Sequence, residues 1–102
     1  MDNKIRLEVL VASPPTSKCL SLIELMKKLL EEYPDKLRLD IYYAGEKPSV
    51  VPTKGYQHDP DRKRRKIPSA YINGRKVASR VIPDISYIKK ILEEELRKEG
   101  FY

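Results

Sequence analysis

The 102-residue sequence has a single cysteine, Cys19, and one cysteine builds no internal disulfide framework, so nothing signals an oxidising, secreted setting. It has a single histidine, His58, and its acidic residues are scattered, so no ligand spacing suits a metal ion. No apolar run approaches the roughly 20 residues needed to cross a bilayer. A charged fraction of 35%, against roughly 25% in typical soluble domains, also argues against a membrane-embedded chain. Met1-Asp2-Asn3-Lys4 leads straight into an alternating segment, with no visible signal peptide. A cytoplasmic protein without a metal is the expectation. Glutamine occurs only at Gln57 and asparagine only at Asn3 and Asn73, while Lys, Arg and Glu abound, a pattern that fits a heat-adapted source.

What is present suffices for one domain, residues 1–102, since a 40% hydrophobic chain of this length fills one core and not two. The net charge is +6, and Arg62, Lys63, Arg64, Arg65 and Lys66 supply five of those charges. The rest of the chain is nearly neutral.

Residues 4–12 alternate, with Ile5, Leu7, Val9 and Val11 on one face and Arg6 and Glu8 on the other, which predicts a strand. Leu10 and Ala12 make its second half apolar on both faces, as in a covered sheet. Pro14 and Pro15 stop it, because proline lacks the N–H that a ladder needs. Thr16 or Ser17 then caps a helix running to about Tyr33, with an apolar stripe of Cys19, Ile23, Met26, Leu30 and Tyr33 widened by Leu22 and Leu29. Residues 37–43 alternate as Leu37, Leu39, Ile41 and Tyr43 and predict a second strand. Periodicity disappears over residues 44–66, which hold Pro48, Pro52, Pro60, Gly45, Gly55 and the basic run. An irregular basic loop is expected there, and loops this long are uncommon unless they serve a function. Asn73-Gly74 between two short apolar runs predicts a hairpin, because both turn residues tolerate positive φ. Asp84 is expected to cap a last helix with Ile85, Ile88, Ile91, Leu92 and Leu96 on its apolar face. A right-handed crossover makes the first two strands parallel, and the hairpin makes the sheet mixed.

This βαβ…ββα order, with a cysteine just after the first strand and a proline just before the hairpin, resembles the thioredoxin and glutaredoxin superfamily over roughly residues 5–96, except at 44–66. The most specific segment is Ile67-Pro68-Ser69-Ala70-Tyr71-Ile72-Asn73-Gly74, which is similar to the family's cis-proline, strand and turn. The resemblance implies an α/β, thioredoxin-like mixed sheet with flanking helices and the loop at 44–66 in place of a regular second helix. It also implies a cis bond before Pro68, with Pro68 facing the active-site thiol near the first helix. Ile67 would pair its backbone with a bound peptide or thiol. Where the family carries Cys-x-x-Cys this chain has Thr16-Ser17-Lys18-Cys19, so Cys19 matches the second cysteine and Thr16 stands in place of the attacking one. A hydroxyl forms no disulfide, which excludes dithiol exchange within the motif and leaves a one-thiol cycle through glutathione or another small thiol. The helix N-terminus and Lys18 would lower the thiol pKa, whereas burial would raise it. Thr-x-x-Cys is also similar to the peroxiredoxin motif, although Ala12 stands where its proline belongs; Arg75 or Arg80 would then serve as the partner arginine.

Two functions follow as expectations. In the first, the protein works in thiol redox chemistry, with Cys19 and Thr16 catalytic and Ile67, Pro68 and Lys18 holding a protein or small-thiol substrate. In the alternative it is a non-catalytic adaptor that binds a protein or nucleic acid through Arg62, Lys63, Arg64, Arg65 and Lys66, with Tyr56 as a nearby stacking surface. The exposure of Cys19 separates them: an accessible thiolate favours redox chemistry, a sealed one the adaptor. Neutralising Arg64 and Arg65 should flatten the salt dependence of polyanion binding and leave the melting temperature nearly unchanged, since surface charges contribute little to stability.

Overall fold

The alternation read in the first strand sets the two sides of the molecule. The computed structural model describes residues 4–101 and contains β1 (Ile5–Val11), α1 (Ser17–Glu32), β2 (Leu37–Tyr43), α2 (Lys54–Gln57), β3 (Ser69–Ile72), β4 (Arg75–Ser79) and α3 (Ile85–Lys98). Ile5, Leu7, Val9 and Val11 enter the main core with Leu22, Met26 and Leu29 of α1 and Ile88, Leu92 and Leu96 of α3, so both long helices cover one face. The strands form a single sheet in the order β2-β1-β3-β4. β1 and β2 pair in parallel from Ile5↔Leu37 to Val11↔Tyr43, and β3 joins β1 antiparallel from Leu7↔Ile72 to Leu10↔Ser69. Asn73 (φ 52°) and Gly74 (φ 80°) both take the left-handed conformation in the β3–β4 turn. The expected α/β class with a mixed sheet and flanking helices is what the chain forms.

The helix faces differ in detail from the sequence-based stripes. In α1 the buried residues are Cys19, Leu22, Ile23, Met26 and Leu29, while Leu30 and Tyr33 are half-buried at the core's margin. In α3 Ile85 is exposed, and Glu95 takes a buried place because Asn73 Nδ2 (2.9 Å) and Lys98 Nζ (3.1 Å) donate to it. Asp84 occupies the expected cap position, but its side chain makes no capping hydrogen bond; its carbonyl accepts from Ile88 N–H. Phe101 packs partly against the main core, and Tyr102 lies outside the described residues.

Among the described residues from 44 to 66 the one helical element is the single turn of α2. The stretch is nevertheless an organised layer on the sheet's second face. Leu10, Tyr42, Tyr56 and Tyr71 form a small second core, with Tyr56 edge-to-face against Tyr42 (4.9 Å) and Tyr71 (4.8 Å). Two buried carboxylates pin the layer down. Glu8, fully buried in β1, accepts from Tyr42 Oη (2.6 Å), Thr53 N–H (2.9 Å) and the Thr53 hydroxyl. Arg6 spans the same face, donating to Asp40 (3.0 Å), the Val51 carbonyl (2.6 Å) and Tyr42 Oη (3.1 Å). Asp59 accepts from the Tyr71 hydroxyl, Asp61 N–H (2.9 Å) and Lys76 Nζ (3.2 Å).

These partners give stability a defined acid dependence. Burial pushes the Asp59 carboxyl up, but donation from Tyr71, Asp61 N–H and Lys76 outweighs it and holds the group below the ordinary carboxylate range. Glu95 is lowered likewise, as Asn73 and Lys98 overcome burial. A folded pKa below the unfolded one means the stabilisation is present above the unfolded value, about 3.9–4.3, and is lost as pH falls through the folded value. The urea midpoint should therefore stay level from pH 7 to about pH 5 and fall below about pH 4, with a smaller acid loss in Asp59→Asn. A midpoint indifferent to pH down to 2 would contradict this.

Candidate functional site

Thr16 and Cys19 lie together at the start of α1, and their contacts are reciprocal. Thr16 Oγ1 accepts Cys19 N–H at 3.2 Å as the helix cap and donates its proton to Cys19 Sγ at 3.2 Å. Ala12 N–H, at the end of β1, also points at Sγ (3.5 Å). The thiol heads the apolar face of α1 and has no exposed surface. Its cover is thin, since Thr16, Ser17 and Lys18 around it are exposed. Burial pushes the Cys19 thiol up, but the hydrogen bonds from Thr16 and Ala12 outweigh it, so the thiol sits below its ordinary value.

The proline segment comes to the same end of the sheet. The Ile67–Pro68 bond is cis, and so is Ser13–Pro14, which nothing in the sequence singled out. Carried one step past Leu10↔Ser69, the antiparallel register sets buried Pro68 beside Val11, one residue before the amide that reaches Cys19. Arg80, with φ 71°, donates its N–H to the Pro68 carbonyl (2.7 Å). Arg75 sits at the other end of the hairpin, paired with Glu94 at 2.9 Å, so it is not placed to serve the thiol as a peroxiredoxin-like partner.

Ile67 is exposed and lines a cleft of about 350 Å³ on the second face. The cleft lies beyond the carboxyl ends of β1 and β2, where open α/β sheets ordinarily bind ligands. Leu10, Tyr43, Glu46, Arg62 and Arg65 share its walls with Ile67. The structure thus unites Ile67 with part of the basic run and leaves Cys19 in the core of the opposite face.

The five cations are not equivalent. Arg65 lies 3.8 Å over the Tyr56 ring and donates to the Tyr56 carbonyl, so it is half-buried and part of the second core. Tyr56 is buried between Tyr42, Tyr71 and this guanidinium, and therefore offers no free face for stacking; the exposed ring in the cleft is Tyr43. Arg62 reaches the Asp59 carbonyl at 3.4 Å but remains exposed, as do Lys63, Arg64 and Lys66. Among the described residues no carboxylate pairs with any of the five, whereas Arg6, Arg38, Arg75, Lys76, Lys89 and Lys98 all have acidic partners. Arg65 must be dropped from any test meant to spare stability; Lys63 and Arg64 take that role.

Glu8, Asp59, Tyr42 and Tyr71, which hold the second layer to the sheet, escape sequence reasoning. The one available signal was Glu8 itself, a carboxylate in a strand expected to be covered. Among the described residues no cluster of three or more His, Cys, Asp or Glu could hold a metal, and no helix is long and apolar enough to cross a membrane. Comparison of the sequence with protein-family models gives no match, and comparison with curated proteins gives none either.

Proposed function

We propose that this chain is a thioredoxin-like module that binds a polyanionic partner through residues 62–66 and does no thiol exchange. The thioredoxin-like reading is supported by the parallel β1/β2 pair beside an antiparallel hairpin, by both long helices on one face, and by Thr16 and Cys19 at the start of α1. The observation that carries the function is the density of the basic run, five consecutive cations with no carboxylate partner among the described residues, held on an anchored layer while Arg6, Arg75 and Lys76 are paired. Cys19, sealed and bonded to the helix cap, is accounted for as a core residue.

Binding to a DNA duplex should weaken steeply with salt, with a slope near −4.5 in log K against log salt if all five cations neutralise phosphates. Replacing Lys63 and Arg64 by Gln should flatten the slope to about −2.7 and leave the melting temperature within a degree or two, since exposed charges contribute little to stability. No detectable association with any polyanion at low salt would overturn the proposal.

A second reading rests on one observation, the two donors aimed at Cys19 Sγ, which lower its pKa as a reactive thiol requires. In it the start of α1 opens and the Cys19 thiolate attacks the disulfide of an oxidised small thiol such as glutathione disulfide, forming a mixed disulfide and releasing the other half as a thiolate.

A further inference from the structure

We propose that the cleft beside Ile67 takes one unpaired nucleotide, so that the polyanionic partner is a single-stranded nucleic acid and not a duplex or an acidic protein. This rests on the polyanion reading and specifies its partner. Three features of the cleft point to it. Its volume, about 350 Å³, is at the small end of ordinary ligand pockets and suits one nucleotide. A base held in a duplex could reach such a cleft only by leaving its stack, whereas a single strand offers its bases freely.

The lining also has the required chemistry. Tyr43 ends β2 and is 38% exposed, while Tyr42 and Tyr56 on the same wall are nearly covered by their ring contacts. It is therefore the aromatic surface left for a base. Arg65 is fixed by its stack on Tyr56 and stands on the wall with little freedom left to lose, while Arg62 brings a second, exposed guanidinium to the same wall. Glu46, held by Ser13 Oγ at 2.9 Å, is the carboxylate of the lining. It repels phosphate and accepts from base amino groups, which sets the phosphate on the arginine side and the base edge toward Glu46.

The third feature is continuity. Lys63, Arg64 and Lys66 are exposed and unpaired beside the two cleft arginines, so a strand with one nucleotide in the cleft meets further cations along its backbone. A polycarboxylate such as polyglutamate would satisfy those cations equally well but has no aromatic ring to stack on Tyr43.

The test is fluorescence anisotropy of the full chain at low salt with three probes: a labelled 15-nucleotide single strand, the same sequence as a duplex, and polyglutamate. The single strand should bind at least about tenfold more tightly than either competitor, the size expected of one stacked base. Tyr43→Ala should abolish that preference and Tyr43→Phe should keep it. Equal affinity for strand and duplex, a match by polyglutamate, or a preference that survives Tyr43→Ala would overturn the inference and leave polyanion binding standing. Failure of all three probes to bind would overturn both.

Discussion

Glu8→Ala should lower the stability of the protein by about 3–5 kcal/mol, the range for breaking a buried charged network by removing one partner. The carboxylate is fully buried, and it takes the Tyr42 hydroxyl, the Thr53 amide and the Thr53 hydroxyl at once. Its removal leaves three donors without an acceptor, each with its own desolvation penalty. Arg6 Nη2, 3.9 Å from Glu8, also loses a counter-charge, although it keeps Asp40 at 2.9 Å. For a domain of this size the melting temperature should fall by at least about 12 °C. Glu8→Gln keeps the shape and the acceptor for Tyr42 Oη and Thr53 N–H but replaces the oxygen facing the Thr53 hydroxyl by an NH2, and should fall between. A change below about 1 kcal/mol in Glu8→Ala would show that residues 44–66 are held by something other than this network.

Gly55→Ala should be comparably damaging for a purely steric reason. A Cβ on Gly55 would stand 2.1 Å from the Gly74 carbonyl oxygen and 2.6 Å from the Gly74 carbonyl carbon and Cα. These are backbone atoms of the hairpin turn, and no flexible side chain can yield. Gly74 is itself fixed at φ 80°, so relief has to come from shifting α2 and its loop off the hairpin. A loss of about 3 kcal/mol, the upper part of the range for overpacking, is expected in a denaturant melt. Trypsin should also cut at residues 62–66 faster in the variant, because displaced loops expose their backbone. An unchanged midpoint would mean that the close approach of Gly55 to Gly74 does not hold the layer in place.

The sheet and the long helices were legible because each is written in local periodicity. Period two in Ile5, Leu7, Val9 and Val11, steps of three and four in α1 and α3, and Asn73-Gly74 each depend on neighbours a few residues apart. The second layer was not legible, because its order is non-local. Glu8 finds Thr53 from 45 positions away, Tyr42 finds Glu8 from 34, and Gly55 abuts Gly74. No period announces such pairs. Residues 44–66 therefore looked like free loop, and Arg65 looked like one charge among five when it is a wall of the aromatic core. The same limit applies at the thiol. Thr16 and Cys19 could be placed on the first turn of α1, but whether Sγ faces solvent depends on what packs over that turn, and Ala12 at the end of β1 supplies the second donor to Sγ.

Whether this end of the sheet binds a partner or performs thiol chemistry is decided most directly by the alkylation rate of Cys19 with iodoacetamide, measured from pH 6 to 10 in the native and the urea-unfolded chain. A sealed thiol reacts only through opening of the α1 start, so the native rate should be slower than the unfolded rate by about a hundredfold or more at every pH. A native rate equal to or above the unfolded one, rising with a midpoint well below the ordinary thiol value of about 8.5, would contradict a binding module with an inert cysteine and establish Cys19 as an accessible, activated nucleophile.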